Sequence, residues 1–531
     1  MKHSQHPRRM MKAALAVLLL LAALPFAEAQ QQQQAAYENP VIAGDYPDPS
    51  VIRVGKDYYA TATSGEWAPE FPILHSLDMV NWEVVGAVFK KRPDWTQGNF
   101  WAPEISYDRG RYFVYYTARK RGGPLCVAVA SSETAAGPYT DHGPLVCQEI
   151  GSIDAMAVTD EKGNRYLIWK EDGNSREKPT PLWAQMLSAD GTKLVGDKKE
   201  LFRNDPKSWE GGVVEGAFVL KRGDWFYLFY SGNACCGRRC NYALGVARAR
   251  KLLGPWEKNP ANPILAENQL WQCPGHGSIV TDEQGRDLLL YHAYRQGEEA
   301  FYIGREALLD EIKWDGPNGW PSINAGKGPG ARPPLMPVAG VRASKGSFFD
   351  EFDGPELKPG WQWPQANEPV IRIETERGGR LTLSPASGQA KDPISAVLSQ
   401  PTTSADYVAT TLVDLSTKPG TLAGLSAYNG RSDALGVMAG GGKILIYKRE
   451  AKRHQILTTL NAPAARFLHL RMTVKEGHDY RFAYSIDGRE WKEIGEPVSG
   501  GYLEGVRVAL TVGGAEGASG RFEWLRVAPN P

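Results

Sequence analysis

Five residues able to carry acid–base or ligand chemistry stand at the heads of five similar stretches: Asp48, Glu104, Asp154, Glu215 and His276. Each stretch continues with an apolar run, a turn containing Gly or Asp, and an aromatic-rich run, as in DPSVIRVGKDYYATAT from Asp48 and EGAFVLKRGDWFYLFYS from Glu215. Carboxylates brought together in a partly desolvated place cannot all ionise cheaply, so one keeps its proton near neutral pH while another stays charged. Such a set holds an acid to protonate a leaving oxygen and a base to activate water, which is what cleavage of a glycosidic bond requires. Asp48, Asp154 and Glu215 form that candidate set. The structural alternative is a group of buried carboxylates that satisfy backbone donors or hold a cation.

The five heads lie 56, 50, 61 and 61 positions apart, a spacing that fits four-stranded propeller blades. The innermost strand of a blade lines the central channel, so equivalent residues from five blades converge at one end of it. Signals for long amphipathic helices are nearly absent beyond the N-terminal segment, and short runs rich in Val, Ile, Tyr and Phe alternate with turn residues. The fold class expected is all-β. Beyond Trp320 comes a Gly- and Pro-rich stretch, residues 325–340, and then alternating runs without the repeat at 407–415, 443–448, 467–474, 480–486, 507–512 and 522–527, which suggest a β-sandwich. The expected organisation is a signal peptide at 1–29, a Gln-rich spacer at 30–36, a five-bladed β-propeller at 37–324, a linker at 325–347 and a sandwich at 348–531.

Lys2, Arg8, Arg9 and Lys12 precede an apolar run too short to span a bilayer, and Ala27 and Ala29 supply a small-x-small cleavage pattern. Export, to the periplasm or the medium, is therefore expected after cleavage near Ala29. The formal charge of +1 for the whole chain becomes about −2 without that leader, with no block of like charge, so neither nucleic acid nor an anionic membrane is an expected partner. Six cysteines include a cluster at Cys235, Cys236 and Cys240; disulfides and, as a rival, zinc are both open readings, and the pairing does not follow from the spacing.

Taken in order, YPDPSVI around Asp48, HSLDMVNWE at 75–83, FWAPEISY around Trp101, GSIDA around Asp154, VVEGAF around Glu215, GPW at 254–256, PGHGS around His276 and YIGREALL around Arg305 resemble glycoside hydrolase family 43. That family comprises inverting β-xylosidases, α-L-arabinofuranosidases and arabinanases. The resemblance implies that Asp48 is the general base, Glu215 the general acid and Asp154 the residue that tunes the acid. It also implies that Trp101 walls the sugar pocket, that Arg305 contacts substrate, and that His276 lies near substrate and can hold a hydrated calcium ion in the channel. No cofactor is required on this reading, and the substrate is a xylo- or arabino-oligosaccharide or polysaccharide. The C-terminal part resembles the concanavalin-like, jelly-roll sandwich of exo-acting members, which helps close the pocket. The NACCGRRCNYALGVARA stretch is similar to a vicinal-cysteine loop of arabinan-degrading members, so xylose and arabinose both stay open, as does endo action. Fructan and sucrose hydrolases share the architecture, but their Asn-Asp-Pro-Asn-Gly, Arg-Asp-Pro and Glu-Cys motifs are absent. A non-catalytic carbohydrate-binding propeller is the other alternative, and it has no need of all three carboxylates.

Overall fold

The computed structural model describes Met1 and residues 37–298, 300–331, 347–375, 378–386, 394–430 and 433–530. The leader, the Gln run and residues 332–346 of the expected linker lie outside the described residues.

From Ser50 to Ile323 the chain forms five successive four-stranded antiparallel sheets, each with its strands in sequence order; in the first, the short strand Trp67–Ala68 intervenes between the second and third strands and pairs elsewhere. Their first strands are Ser50–Val54, Thr96–Asp108, Ser152–Thr159, Val214–Arg222 and Trp271–Thr281. Each first strand packs against the first strand of the next sheet, and the fifth packs back on the first. Apolar side chains from adjoining sheets fill the space between them, as where Tyr58, Ala60 and Leu74 of the first sheet meet Leu288, Leu290 and Leu309 of the fifth. Residues near the N-terminus fasten the fifth sheet from outside: Tyr37 donates to the Leu309 carbonyl at 2.6 Å, and Ile42 forms a bridge with Ala307.

Polar side chains from the second strands, or just beyond them, stitch the ring from within. The Ala102 N–H donates to Thr63 Oγ1 (2.7 Å), Asp154 N–H to Thr117 Oγ1 (3.2 Å), His276 N–H to Ser231 Oγ (2.9 Å) and Asp48 N–H to His292 Nδ1 (3.1 Å). The corresponding place at the third junction holds Lys170. Buried backbone donors need a partner, and these bonds supply it where the first strands leave regular pairing.

Beyond Phe348 a nine-stranded and a six-stranded sheet face each other as a β-sandwich. Leu398, Leu425, Leu470, Phe482, Leu510 and Phe522 are fully or almost fully buried between them. Two strands of the six-stranded sheet, Leu422–Tyr428 and Ala434–Gly440, are rich in Ala and Gly because the backbones approach closely there: a Cβ on Gly436 would stand 2.6 Å from the Leu425 carbonyl oxygen.

The sandwich is tied directly to the first sheet region. Trp363–Pro364 pairs with Trp67–Ala68, Gln365 N–H donates to the Glu66 carbonyl, and the Arg507 guanidinium lies over the Trp67 ring. On the other side, Gly505 and Val506 N–H groups donate to the carbonyls of Phe301 and Tyr302 in the short helix Ala300–Ile303. Among the described residues no helix is long and apolar enough to cross a membrane.

Candidate active site

Each first strand carries a left-handed residue at its mouth of the ring: Asp48 (φ 53°), Ala102 (43°), Asp154 (56°), Gly216 (58°) and His276 (41°), Asp48 standing just before its strand; the second and fifth strands also hold Asn99 (58°) and Cys273 (54°). These, rather than the five expected heads, are the equivalent positions of the ring. Glu104 lies two residues past its equivalent position and Glu215 one residue before, which corrects the register read from the repeat. The reason is the irregular pairing that follows: register shifts flank Ala102, Asp154, Gly216 and His276. Such bulges re-aim side chains that a regular strand would alternate. A non-glycine residue held at positive φ costs roughly 1–3 kcal/mol, and such positions cluster at functional sites. Only glycine fits at 216, since a Cβ there would come within 2.8 Å of His276 Cγ.

All six residues singled out from the sequence, Asp48, Trp101, Asp154, Glu215, His276 and Arg305, line one cleft of about 790 Å³. Glu104 instead lines a small cavity beneath it, together with Pro49, Ala155 and Gly277. Burial alone pushes the Glu104 carboxyl up to about 8, against a hydrogen bond from Ser50.

The three carboxylates have different surroundings. Asp48 accepts from Thr63 Oγ1 at 2.7 Å and from the Arg305 guanidinium at 3.1 Å, and His276 Nδ1 lies 3.5 Å from its Oδ1. Burial pushes its carboxyl up, but Arg305, His276 and His292 outweigh burial and hold it well below the usual carboxylate range. Asp154 accepts from the Gly216 N–H at 3.2 Å, with His276 Nδ1 at 3.9 Å from the same oxygen. Burial dominates there, the nearby charges of Glu215 and Asp48 add to it, and the Asp154 carboxyl rises to about 7. Glu215 accepts from Lys170 Nζ at 2.5 Å and from the Tyr242 hydroxyl at 2.8 Å. Burial pushes Glu215 up, and the Lys170 ammonium overrides it, holding the carboxyl below its ordinary value. The two carboxyls are thus pushed in opposite directions, Asp154 up by burial and Glu215 down by Lys170.

Lys170, Tyr242, His292 and Thr63 were not singled out from the sequence, although Thr63 and Lys170 close the first and third repeats. His292 is fully buried, burial drops its imidazole to about 4, and its ring stacks 5.8 Å from that of Tyr242. The His292 Nδ1 takes the Asp48 N–H at 3.1 Å and also lies 3.2 Å from Asp48 Oδ1, so the ring holds both the backbone and the carboxyl of Asp48.

The sandwich supplies part of the cleft wall through Asn429, Gly430, Asp433, Tyr502, Glu504 and Gly505. Opposite them stands the loop of Cys235, Cys236 and Gly237. The six cysteines form three disulfides, Cys126–Cys147, Cys235–Cys236 and Cys240–Cys273, so the cluster is not a zinc site. Arg238 of the same loop pairs with Glu298 and with Glu504 of the sandwich, joining the two sides.

The channel ion implied by the resemblance finds a poor donor set. Calcium takes six to eight oxygen ligands. His276 turns Nδ1 toward two carboxylates, no group of three or more His, Cys, Asp or Glu among the described residues is placed to hold a metal, and the cavity beside His276 has room for about one water, about 10 Å³. The side chains alone do not supply that ligand set, so an ion held by His276 would draw most of its ligands from water, and no chemical step below runs through one.

Comparison with known proteins gives a consistent result. The model of the family described as "Glycosyl hydrolases family 43" matches residues 37–321, and that of the "Beta xylosidase C-terminal Concanavalin A-like domain" matches 349–518. Xylosidase/arabinosidase 43B of Humicola insolens is 28% identical over 495 residues, which cover 86% of this chain and 88% of that protein. Xylan 1,3-beta-xylosidase of a Vibrio species is 28% identical over 517 residues, covering 86% and 90%. Among solved structures, a mutant of the GH43 protein BlXynB of Bacillus licheniformis superposes with a TM-score of 0.80 at 25% identity, over 93% of this chain and all of that one.

Proposed function

Because the chain belongs to glycosyl hydrolase family 43, we propose that it is an inverting, exo-acting hydrolase that removes terminal pentose units, β-xylosyl or α-L-arabinofuranosyl, from plant oligosaccharides or polysaccharides. The observation that carries this reading is the unlike surroundings of three carboxylates in one cleft: Asp48 bonded by Arg305, Asp154 buried against the Gly216 N–H, and Glu215 between Lys170 and Tyr242. The five four-stranded sheets are read as the blades of a propeller, with the cleft at one mouth of its channel.

Asp48 takes a proton from water as the water oxygen bonds to the anomeric carbon. The glycosidic C–O bond breaks on the opposite side of the sugar, and the protonated form of Glu215 gives its proton to the departing oxygen and is left as the carboxylate that Lys170 and Tyr242 hold, so turnover runs through the molecules in which Glu215 carries a proton. Asp154, at hydrogen-bond distance from the Gly216 backbone, sets the charge that Glu215 feels. Arg305 and Trp101 orient the terminal sugar. The wall from the sandwich favours chain ends over an open groove, and relatives named xylosidase/arabinosidase favour both pentoses. Export is proposed as well, supported by three disulfides, which persist in oxidising compartments.

The test is Glu215→Gln on aryl and alkyl xylosides and arabinofuranosides, with the first-formed anomer followed by proton NMR. Loss of turnover on unactivated substrates, partial sparing on activated aryl glycosides and an inverted product are expected. Equal losses on both substrate types, or a retained configuration, overturn the assignment.

A further inference from the structure

Lys170 departs from the pattern of its own ring. At the other four junctions the stitching side chain is Thr63, Thr117, Ser231 or His292, each accepting a backbone N–H from the next sheet. Lysine has no acceptor and cannot make that bond. The equivalent N–H at this junction, that of Gly216, donates instead to Asp154 Oδ2 at 3.2 Å. The backbone is thus satisfied without Lys170, whose side chain is 1% exposed. Burying an ammonium carries a large desolvation penalty, which a neutral residue here would have avoided.

What the ammonium touches is specific. Its Nζ lies 2.5 Å from Glu215 Oε2 and 3.3 Å from Asp172 Oδ1. The second Glu215 oxygen accepts from Tyr242. The remaining titratable groups around Glu215 are Asp154 and His276. Both Glu215 oxygens are engaged by donors, an arrangement that fits a carboxylate and opposes a carboxylic acid.

We propose that Lys170 is a positioning residue that sets the proton affinity of Glu215, and through it the upper pH limit of turnover, with Asp172 drawing part of the ammonium's charge away from Glu215. This rests on the reading of Glu215 as the acid. An opposite charge at such a distance moves a carboxyl by roughly one to three pH units.

The experiment is the pH profile of kcat/KM on an unactivated alkyl pentoside for the full chain and for Lys170→Met, Lys170→Arg, Asp172→Asn and Glu215→Gln. Lys170→Met should raise the alkaline limb by at least about one pH unit. Lys170→Arg should keep the limb near its original place, and Asp172→Asn should lower it. An unmoved limb in Lys170→Met overturns the proposal, because a purely structural lysine changes amplitude and not the limb. If Lys170→Met does not fold, Asp172→Asn decides: a lowered limb supports the proposal and an unmoved one overturns it. Full activity of Glu215→Gln on the alkyl substrate instead removes the underlying reading of the acid, which separates the two failures.

Discussion

Asp154→Asn should make the protein more stable at alkaline pH while abolishing most of its turnover. Asp154 is buried and its carboxyl is raised to about 7 from an ordinary 3.8. Below pH 4 it is protonated both folded and unfolded, so the group adds no pH dependence. Between about pH 4 and 7 the unfolded chain releases this proton while the folded one keeps it, and the wild type loses stability as pH rises. Above 7 both forms are ionised and the loss is complete. A shift of about three units at 1.36 kcal/mol each sets a ceiling of about 4 kcal/mol. Asparagine imitates the neutral acid and still accepts the Gly216 N–H through its carbonyl oxygen. Urea denaturation of both proteins at one-unit steps from pH 4 to 9 measures the difference. The variant's advantage should grow from near zero at pH 4 to a plateau above pH 7. A difference that is flat across this range, or that falls as pH rises, refutes burial as the origin of the raised carboxyl.

Two other outcomes follow from the same site. Asp48→Asn should lose roughly 10²–10⁴-fold in turnover on every substrate, whatever the leaving group, because activation of water does not depend on that group; it should also unfold at lower denaturant, since Arg305 is left with a buried, weakened partner. Tyr502→Ala, in the sandwich wall, should lower kcat/KM on short pentosides about tenfold, equivalent to one contact of about 1.4 kcal/mol, and an unchanged value and product pattern would show that the wall does not touch the substrate.

Much of this arrangement is legible in the chain, and what is not legible has identifiable causes. Runs with β-branched and aromatic residues marked the strands Tyr407–Asp414, Lys443–Glu450 and Phe467–Lys475 to within two residues. Leu422–Tyr428 and Ala434–Gly440 escaped, because close backbone packing there selects Ala and Gly, which carry no strand signal. Asp48, Asp154, Glu215, Trp101, His276 and Arg305 could be named because motif order places them together. Lys170 could not be, since its effect depends on a strand end reaching across to the next sheet. The downward push on the Glu215 carboxyl was likewise hidden, because it depends on a 2.5 Å contact with Lys170, 45 positions away. Asn429, Asp433 and Tyr502 belong to no motif and enter the cleft only through the docking of one domain on the other.

That docking has a consequence for biosynthesis. Trp67, which pairs with Pro364 and lies under Arg507, leaves the ribosome long before either of them and before Glu504 of the cleft wall. At about 5–20 residues per second the interval between Trp67 and Glu504 is roughly 20–90 s. All five sheets and all three carboxylates have been synthesised well before Glu504 emerges, so the ring can close around a cleft that still lacks one wall. The apolar face of Trp67 stays uncovered until the last quarter of the chain arrives. A nascent or prematurely terminated chain is therefore a sticky, unwalled ring of five sheets, and the window in which it needs protection from aggregation is set by the length of the sandwich that follows it.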